Sequence, residues 1–408
     1  MPVALPESFS ALDDLSHVAL AVSGGSDSVA LMRHAAGWAR QHLHAPRLSV
    51  LTVDHGLRPE AAGEARQVAA WAANLGLPHR TLAWAGPRPR SAVQAKAREA
   101  RYDLMTEWCR ANGAEALLTA HTFDDQAETV LMRLARTDSV DSLSGIPPRG
   151  QWNGLPVMRP LLGIRRDTLR QDLRAWQQDW IEDPSNRDER FERVRIRGAL
   201  KTLRAKGFDD ARLVRLADAC RELSVLLLAA AEGFISSRLV IHPRGFGTFD
   251  LASFSGLPRE VRVRVLRQVL MLFGSGKTPL RAELERLSGD LAHPRARRTL
   301  AGAVVWRRSG EVLVAREAGR VAAEPVPVPD DGRLVWDGRF VLDAPPGWRV
   351  VPGRMAPQSP RVDGIPRLVH DAEPVVLGPV GEPVLVDFGD AETGPSPVRA
   401  RFRVLKVR

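Results

Sequence analysis

The stretch that most restricts how this chain can fold is residues 17–28, His-Val-Ala-Leu-Ala-Val-Ser-Gly-Gly-Ser-Asp-Ser. An apolar run from Val18 to Val22 breaks at Ser23-Gly24-Gly25-Ser26-Asp27-Ser28 and gives way to a segment with Val29, Leu31 and Met32 apolar. A buried strand, a tight glycine loop and a helix fit that order. Paired glycines let backbone N–H groups approach an anion with no Cβ in the way. The unpaired amides that open the following helix, at its positive dipole end, complete a phosphate cradle. Ser23, Ser26 and Ser28 add hydroxyl donors, and Asp27 is a candidate ligand for Mg2+ against the same phosphates. The loop has neither the lysine of a Walker loop nor the glycine spacing of a dinucleotide-binding fingerprint.

The loop resembles the PP-loop of the N-type ATP pyrophosphatases, which split ATP between the α and β phosphates and activate an oxygen as its adenylate. ATP is therefore the first expected ligand. At 408 residues and 44% hydrophobic content the chain has material for two or three domains. No apolar run approaches the ~20 residues of a membrane span, and the start of the chain lacks a basic-then-apolar signal, so a cytoplasmic protein with no membrane partner is expected. Cys109 and Cys220 stand far apart, which leaves no disulfide framework or CxxC metal pair. The net charge of +10, carried mostly by arginine, suits a polyanionic partner.

Strands at 17–22, 48–53, 79–84 and 115–120 alternate with helices at 27–43, 59–75, 92–112 and 123–136, which argues a parallel sheet with helices on both faces. In such sheets ligands sit beyond the carboxyl ends of the strands. Residues 137–160 read as loop, and helix 164–179 follows. Between 187 and 215, ten Lys/Arg face five Asp/Glu over helical segments. Further helices are expected at 210–235 and 258–273, with strand-like patches at 238–241 and 303–306. Residues 322–332 read as a Pro-rich, acidic linker, and 333–408 as a small β-rich domain. The expected division is a catalytic α/β domain at 1–205, a mainly helical, basic domain at 206–321, and a linker with a β-rich domain at 322–408. Gly274-Ser275-Gly276-Lys277-Thr278 imitates the end of a Walker loop, but Met271 stands where its first glycine belongs, so a helix terminus is expected there.

His121-Thr122-Phe123-Asp124-Asp125-Gln126-Ala127-Glu128 leaves a strand and enters a helix. Asp124, Asp125 and Glu128 put three carboxylates within one turn, able to hold a metal or the ammonium of a small amine. Enrichment of acids at a positive helix start is the plainer account of the cluster. His121 beside it can donate to a leaving phosphate or a substrate oxygen. Arg98 and Arg101 lie one turn apart on the preceding helix, next to Tyr102, the only tyrosine. An arginine there would stabilise charge building on phosphate in a transition state.

Taken together, Ser23–Ser28, Val53–Arg58 (VDHGLR), Ala97–Tyr102 (AREARY), His121–Glu128, Arg159–Leu162 (RPLL) and Asp183–Asn186 (DPSN) occur in the order seen in the tRNA(Ile)-lysidine synthases, which this chain resembles over residues 15–205. The resemblance implies modification of the wobble cytidine in the CAU anticodon of tRNA(Ile), with ATP, Mg2+, L-lysine and that tRNA as partners. ATP adenylates the oxygen on carbon 2, pyrophosphate leaves, and the lysine ε-amine displaces AMP to form lysidine. By position, Ser23, Gly24, Gly25, Ser26, Asp27 and Ser28 would bind ATP, with Asp27 as the Mg2+ ligand. Asp125 and Glu128 would hold the lysine ammonium, Arg101 and His121 would stand near the reacting base and phosphate, and Arg193 and Arg197 would contact tRNA phosphates. Further phosphate contacts are expected from Arg259, Arg262, Arg264 and Arg267. The base must be unstacked from the anticodon loop to be reached. A homodimer is compatible with the sequence.

Two departures from the family pattern stand out: Thr137-Asp138-Ser139 replaces a Gly-rich turn, and Val194 stands where Asn is usual. Two other readings stay open. PP-loop tRNA thiolation enzymes share the first motif, though many need cysteines that this chain lacks near the loop. A non-enzymatic RNA-binding protein with a decayed nucleotide site is the other.

Overall fold

The computed structural model describes residues 9–54, 56, 60–84, 93–137, 139–182, 190, 192–389 and 396–403. His55, Leu57, Arg58, Asp138 and the DPSN segment Asp183–Asn186 lie outside the described residues. The chain divides into two compact units, Met1–Ser224 and Val225–Arg408.

The first unit is built on the expected alternation. β1 (His17–Ala21) leads to α1 (Ser26–Gln41), β2 (Arg47–Asp54), α2 (Ala61–Asn74), β3 (His79–Ala83), α3 (Val93–Ala111), β4 (Ala116–Leu118) and α4 (Phe123–Leu134). These four strands run parallel: β1 pairs β2 on one side and β4 on the other, and β3 lies outside β2. β1 and β4 are buried almost throughout, as strands covered on both faces must be. Leu20, Val29, Leu31, Val50 and Leu118 share one core with Leu169 and Leu173, while Ala19, Leu51, Tyr102, Met105 and Leu117 form another.

The stretch read as loop at 137–160 holds more order than expected. α5 (Val140–Leu143) precedes a hairpin of β5 (Arg149–Trp152) and β6 (Leu155–Met158), and β6 adds to the sheet parallel to β4. The strands turn at Asn153 and Gly154, both in the left-handed region (φ 48° and 83°), the conformation a two-residue hairpin needs. Asn153-Gly154 is thus the turn of a hairpin, while Gly150 and Pro156 lie within its strands. Sheet order is β3-β2-β1-β4-β6-β5, so the connections diverge between β1 and β4, and a crevice opens beyond their carboxyl ends.

α6 (Arg166–Ala175), α7 (Glu192–Ala205) and α8 (Ala211–Arg238) complete the helices of this part of the chain. Ala127 and Val130 of α4 pack with Leu200 of α7 and with Leu213 and Ala217 of α8. That apolar seam carries the first unit past residue 205 into the start of α8.

In the second unit β7 (Val240–His242), β8 (Phe246–Asp250), β9 (Arg297–Leu300), β10 (Ala303–Arg308) and β11 (Glu311–Arg316) form an antiparallel sheet in the order β7-β8-β11-β10-β9. α9 (Leu251–Ser255), α10 (Arg259–Phe273) and α11 (Arg281–Asp290) accompany it. Val261, Val265, Leu266, Val269 and Phe273 pack with Val305, Val312 and Val314. The Walker-like stretch begins at Gly274, the C-cap of α10. The remainder adds two small antiparallel sheets and the short α12 (Arg367–His370). The strands are β12 (Val326–Pro327), β13 (Arg333–Trp336), β14 (Phe340–Asp343), β15 (Arg349–Pro352), β16 (Pro374–Leu377), β17 (Pro383–Val384) and β18 (Arg399–Phe402). The expected linker at 322–332 is not a free tether: Val328 is buried in this core and Val326 pairs with Val350.

Candidate active site

The loop after β1 has the geometry of an anion cradle. Gly25 is the N-cap of α1 and no side chain caps it, so the helix's first amides are not claimed by a capping side chain. Gly24 sits at φ +92°, so the backbone favours glycine, and a Cβ there would meet Ile181 Cδ1 at 2.6 Å and force that side chain to shift. Ile181 N–H also donates to Gly24 O at 2.9 Å. Ser28 Oγ donates to Gly25 O at 2.9 Å and accepts from Ser23 N–H at 3.1 Å, which holds the loop closed on itself. Ser26 Oγ donates to Asp27 Oδ1 at 3.1 Å.

The acidic cluster at the start of α4 serves two purposes. Thr122 is the N-cap, and Asp125 closes a capping box: its Oδ2 accepts from Thr122 N–H and Oγ1–H, each at 2.9 Å. The other oxygen, Oδ1, accepts from Arg166 Nη2 and Arg193 Nη2, each at 3.1 Å. Glu128 lies one turn further on, buried, and takes Arg197 Nε at 2.9 Å, Arg193 Nε at 3.2 Å and Arg166 Nη1 at 3.5 Å. Asp124 accepts the Arg166 backbone N–H at 2.8 Å and Arg204 Nη2 at 2.9 Å. Arg204 also pairs with Asp210, which Arg165 reaches at 2.9 Å. The cluster is therefore both helix cap and cation site, and the capping account alone does not explain Glu128.

One side chain joins the two halves. Arg166, the first residue of α6, donates from Nε to Asp27 Oδ2 at 2.9 Å while its other nitrogens reach Asp125 and Glu128. The glycine loop and the carboxylates thus meet around a single guanidinium. Asp27, Asp124, Asp125, Glu128 and Asp210 are balanced charge for charge by Arg165, Arg166, Arg193, Arg197 and Arg204. Burial raises the Asp27 carboxyl above its ordinary value, and Arg166 offsets only part of that. Burial also works to raise Asp125, but the charges of Arg166 and Arg193 prevail and hold it low.

His121 follows β4 at the same rim. Its Nδ1 lies 3.0 Å from Thr119 Oγ1, and Arg98 Nη2 approaches Nε2 at 3.5 Å. Burial, reinforced by Arg159, Arg98 and Arg193 against the pull of Asp125, drives its pKa down to about 3, so the imidazole is neutral. Arg101 is half-buried on α3 with no hydrogen bond or ion pair to described residues, its pKa lowered by burial and then by Arg98. Tyr102 is buried, its ring 4.9 Å from that of Trp152.

Several expectations are redistributed. Arg193 and Arg197 are engaged by carboxylates here rather than open to a phosphate backbone. Arg264 is buried and bound to Glu260, and Arg259 pairs with Glu285, so neither presents a free cation. Arg166, Arg165, Arg204 and Asp210 were not singled out from sequence; the signal available was a doubled arginine at the start of a helix that follows the RPLL motif. Among the described residues no group of three or more His, Cys, Asp or Glu could by itself hold a metal ion. An Mg2+ at Asp27 would take its remaining ligands from phosphate and water, the usual pattern for that ion.

The PP-loop domain family matches residues 5–203. The tRNA(Ile)-lysidine synthase of Bradyrhizobium diazoefficiens is 40% identical over 335 residues, covering 76% of this chain and 93% of that protein. The tRNA(Ile)-lysidine synthase of Methylobacterium nodulans is 44% identical over 317 residues, covering 75% and 91%. This chain belongs to the tRNA(Ile)-lysidine synthase family. Its members are ligases that form a carbon–nitrogen bond, and the chain is accordingly an ATP-binding enzyme that modifies tRNA. Among solved structures, the U34-tRNA thiolase NcsA from Methanococcus maripaludis aligns with a TM-score of 0.45 at 16% identity, over 52% of this chain and 75% of that one. Among the described residues no helix is long and apolar enough to cross a membrane.

Proposed function

We propose that the enzyme joins L-lysine to carbon 2 of the wobble cytidine in the CAU anticodon of tRNA(Ile) in two steps at the rim between β1 and β4. The observation that carries this reading is Arg166, whose guanidinium touches both the loop carboxylate Asp27 and the carboxylates Asp125 and Glu128. In the first step the cytidine carbon 2 oxygen attacks the α phosphorus of ATP, and pyrophosphate leaves. Loop amides and the α1 N-terminus bind the phosphates. Mg2+, held by Asp27, would neutralise phosphate charge as pyrophosphate departs. Arg101, which has no ion-pair partner among the described residues, is available to a substrate anion. Neutral His121 contributes hydrogen bonds, not imidazolium charge.

In the second step the lysine amine attacks carbon 2, the carbon–oxygen bond breaks and AMP leaves with the oxygen. Asp125 and Glu128 receive the lysine ammonium, and a carboxylate accepts the proton that must go before attack. Charge balance suggests how they become available. ATP phosphates compete with carboxylates for Arg166, Arg193 and Arg197, and each guanidinium that turns to phosphate frees an oxygen for the ammonium. A thiolation chemistry fits less well: Cys109 is buried and its thiol is pushed up to about 12 by that burial, far from a thiolate.

Residues 206–321 and 322–408 are proposed to grip the tRNA body. We infer action in the cytoplasm, as a monomer or homodimer that sedimentation distinguishes. Incubation with ATP, labelled lysine and bulk tRNA tests the reading. Lysine entering one tRNA species with AMP and pyrophosphate formed supports it; sulfur incorporation instead, or tRNA binding with no ATP turnover, refutes it.

A further inference from the structure

Helices α1 and α6 carry the two ends of the contact that joins the halves of the site, Asp27 on α1 and Arg166 on α6. The same two helices meet at a second buried polar pair, which the two-step reaction does not use. His34 Nε2 lies 3.1 Å from Asp172 Oδ2, the side chains 2% and 7% exposed. Neither atom has another hydrogen-bond partner among the described residues. A ring nitrogen that faces a carboxylate carries the proton, since two lone pairs would repel. Burial outweighs the pull of Asp172 and lowers the His34 pKa, so the ring meets the carboxylate as a neutral imidazole. Trp176, the C-cap of α6, stands edge-on to the His34 ring at 4.8 Å, and the Arg33 guanidinium carbon lies 5.1 Å from the Trp176 ring centroid.

Stability alone is a weak reason for such a pair, because apolar residues of like volume often serve a buried position as well or better. Register is a stronger one. Leu31, Met32 and Ala35 of α1 share an apolar core with Leu169 and Leu173 of α6, and apolar packing is non-directional. His34 stands seven residues after Asp27, two turns on along the same face of α1. Asp172 stands six residues after Arg166, ~9 Å along α6. Asp124 already ties the start of α6 through the Arg166 backbone N–H. One tie leaves a helix able to pivot, and a second further along fixes its axis. An axial shift of ~1.5 Å, one residue's rise, is enough to break the 2.9 Å contact of Arg166 with Asp27. We propose that His34 and Asp172 are positioning residues for adenylation: they seat α6 on α1 so that Arg166 stands against Asp27 and the nucleotide loop. This role rests on the reading of Arg166 as the group that joins the loop to the carboxylates.

The test is a double-mutant cycle of Asp172→Asn and Arg166→Gln in the full chain, read as the single-turnover rate of pyrophosphate release at saturating ATP and tRNA(Ile). Asp172→Asn should slow release by ~10-fold in the parent background but by less than ~2-fold beside Arg166→Gln, where the side chain it positions is gone. Affinity for tRNA, which a general loss of fold would lower, should hold. His34→Gln keeps a neutral N–H near the place of Nε2 and should retain most of the rate, whereas His34→Leu should behave as Asp172→Asn does. Should Asp172→Asn fail to fold, the two His34 variants make the same comparison in the same two backgrounds. An equal loss in both backgrounds shows that the pair supports the fold and not Arg166, and overturns the proposal. A His34→Leu protein with the parent's rate does so as well. An Arg166→Gln protein that releases pyrophosphate at the parent's rate refutes the reading of Arg166 itself, and the proposal falls with it.

Discussion

Glu128→Gln separates the two chemical steps. The substitution keeps shape and one acceptor oxygen but removes the charge that Arg166, Arg193 and Arg197 share. Breaking a fully buried pair costs about 3–5 kcal/mol. Here Arg193 and Arg197 are 41% and 40% exposed, so water takes up much of their charge and each contributes at most ~1 kcal/mol. Arg166 is more enclosed but keeps Asp27 and Asp125 as partners. The net loss should be about 1–3 kcal/mol, a fall of roughly 3–10 °C in Tm for a unit of this size. A lysine ammonium deprived of a charge-assisted hydrogen bond worth ~1.5–3 kcal/mol binds about 10–100-fold more weakly. Pyrophosphate release should persist within ~3-fold, because the carboxylate is not a phosphate ligand. Thermal melts, single-turnover pyrophosphate release and lysine incorporation check the three numbers. Equal loss of pyrophosphate release and lysine incorporation in a variant that remains folded would refute the assignment of Glu128 to the amine.

Other perturbations probe other parts of the site. Gly24→Ala meets both a left-handed φ and Ile181, so it should cost about 1–3 kcal/mol and reduce the Tm gain produced by ATP; an unchanged melt would show the loop to be slack. Arg101→Gln removes a half-buried charge with no ion-pair partner among the described residues, so Tm should hold or rise while pyrophosphate formation drops by ~100-fold or more; a matching loss of stability would give Arg101 a structural role. Asp125 and Asp210 have pKa values below their ordinary range, against burial, because arginines hold them ionised. The unfolded chain then binds more protons below pH ~4, so both acids stabilise the fold above that pH and cease to as pH falls through their lowered values. Asp27, raised by burial, works in the opposite sense. Tm should be flat from pH 7 to about 5 and fall below ~4, less steeply in Asp210→Asn.

The parallel core was legible because its signals are local. A five-residue apolar run, a glycine break and a helix repeat occur within short windows, and β1 with α1 lies where that pattern puts them. The hairpin at 149–158 was missed for a reason of weighting. Asn153-Gly154 marks a two-residue turn, but the flanking strands are only four residues long and contain Gly150 and Pro156, so the segment reads as breakers. The second unit's sheet was visible only in patches, since β8 and β11 pair with each other although distant in sequence, and β9 is a four-residue strand with two exposed arginines.

The site divides along the same line. Residue types that chemistry demands at one place, the glycines at 24–25 and the acids at 124–128, can be read from sequence because their spacing is their geometry. Ion pairing across 38 to 139 residues cannot: Arg166 reaches Glu128 and Asp27 over those separations. Nothing in the run Ile164-Arg165-Arg166-Asp167 distinguishes a guanidinium aimed inward from one in water. Fold topology decides it. The N-terminus of α6 abuts that of α4, Phe123 N–H donating to Ile164 O at 2.9 Å, so two positive helix ends converge where the carboxylates stand. Asp124 then accepts the backbone N–H of Arg166 itself, which fixes where that side chain starts and makes Asp27, Asp125 and Glu128 the anions within its reach. A helix junction, rather than a motif, brings the nucleotide loop and the amine-binding acids to one arginine.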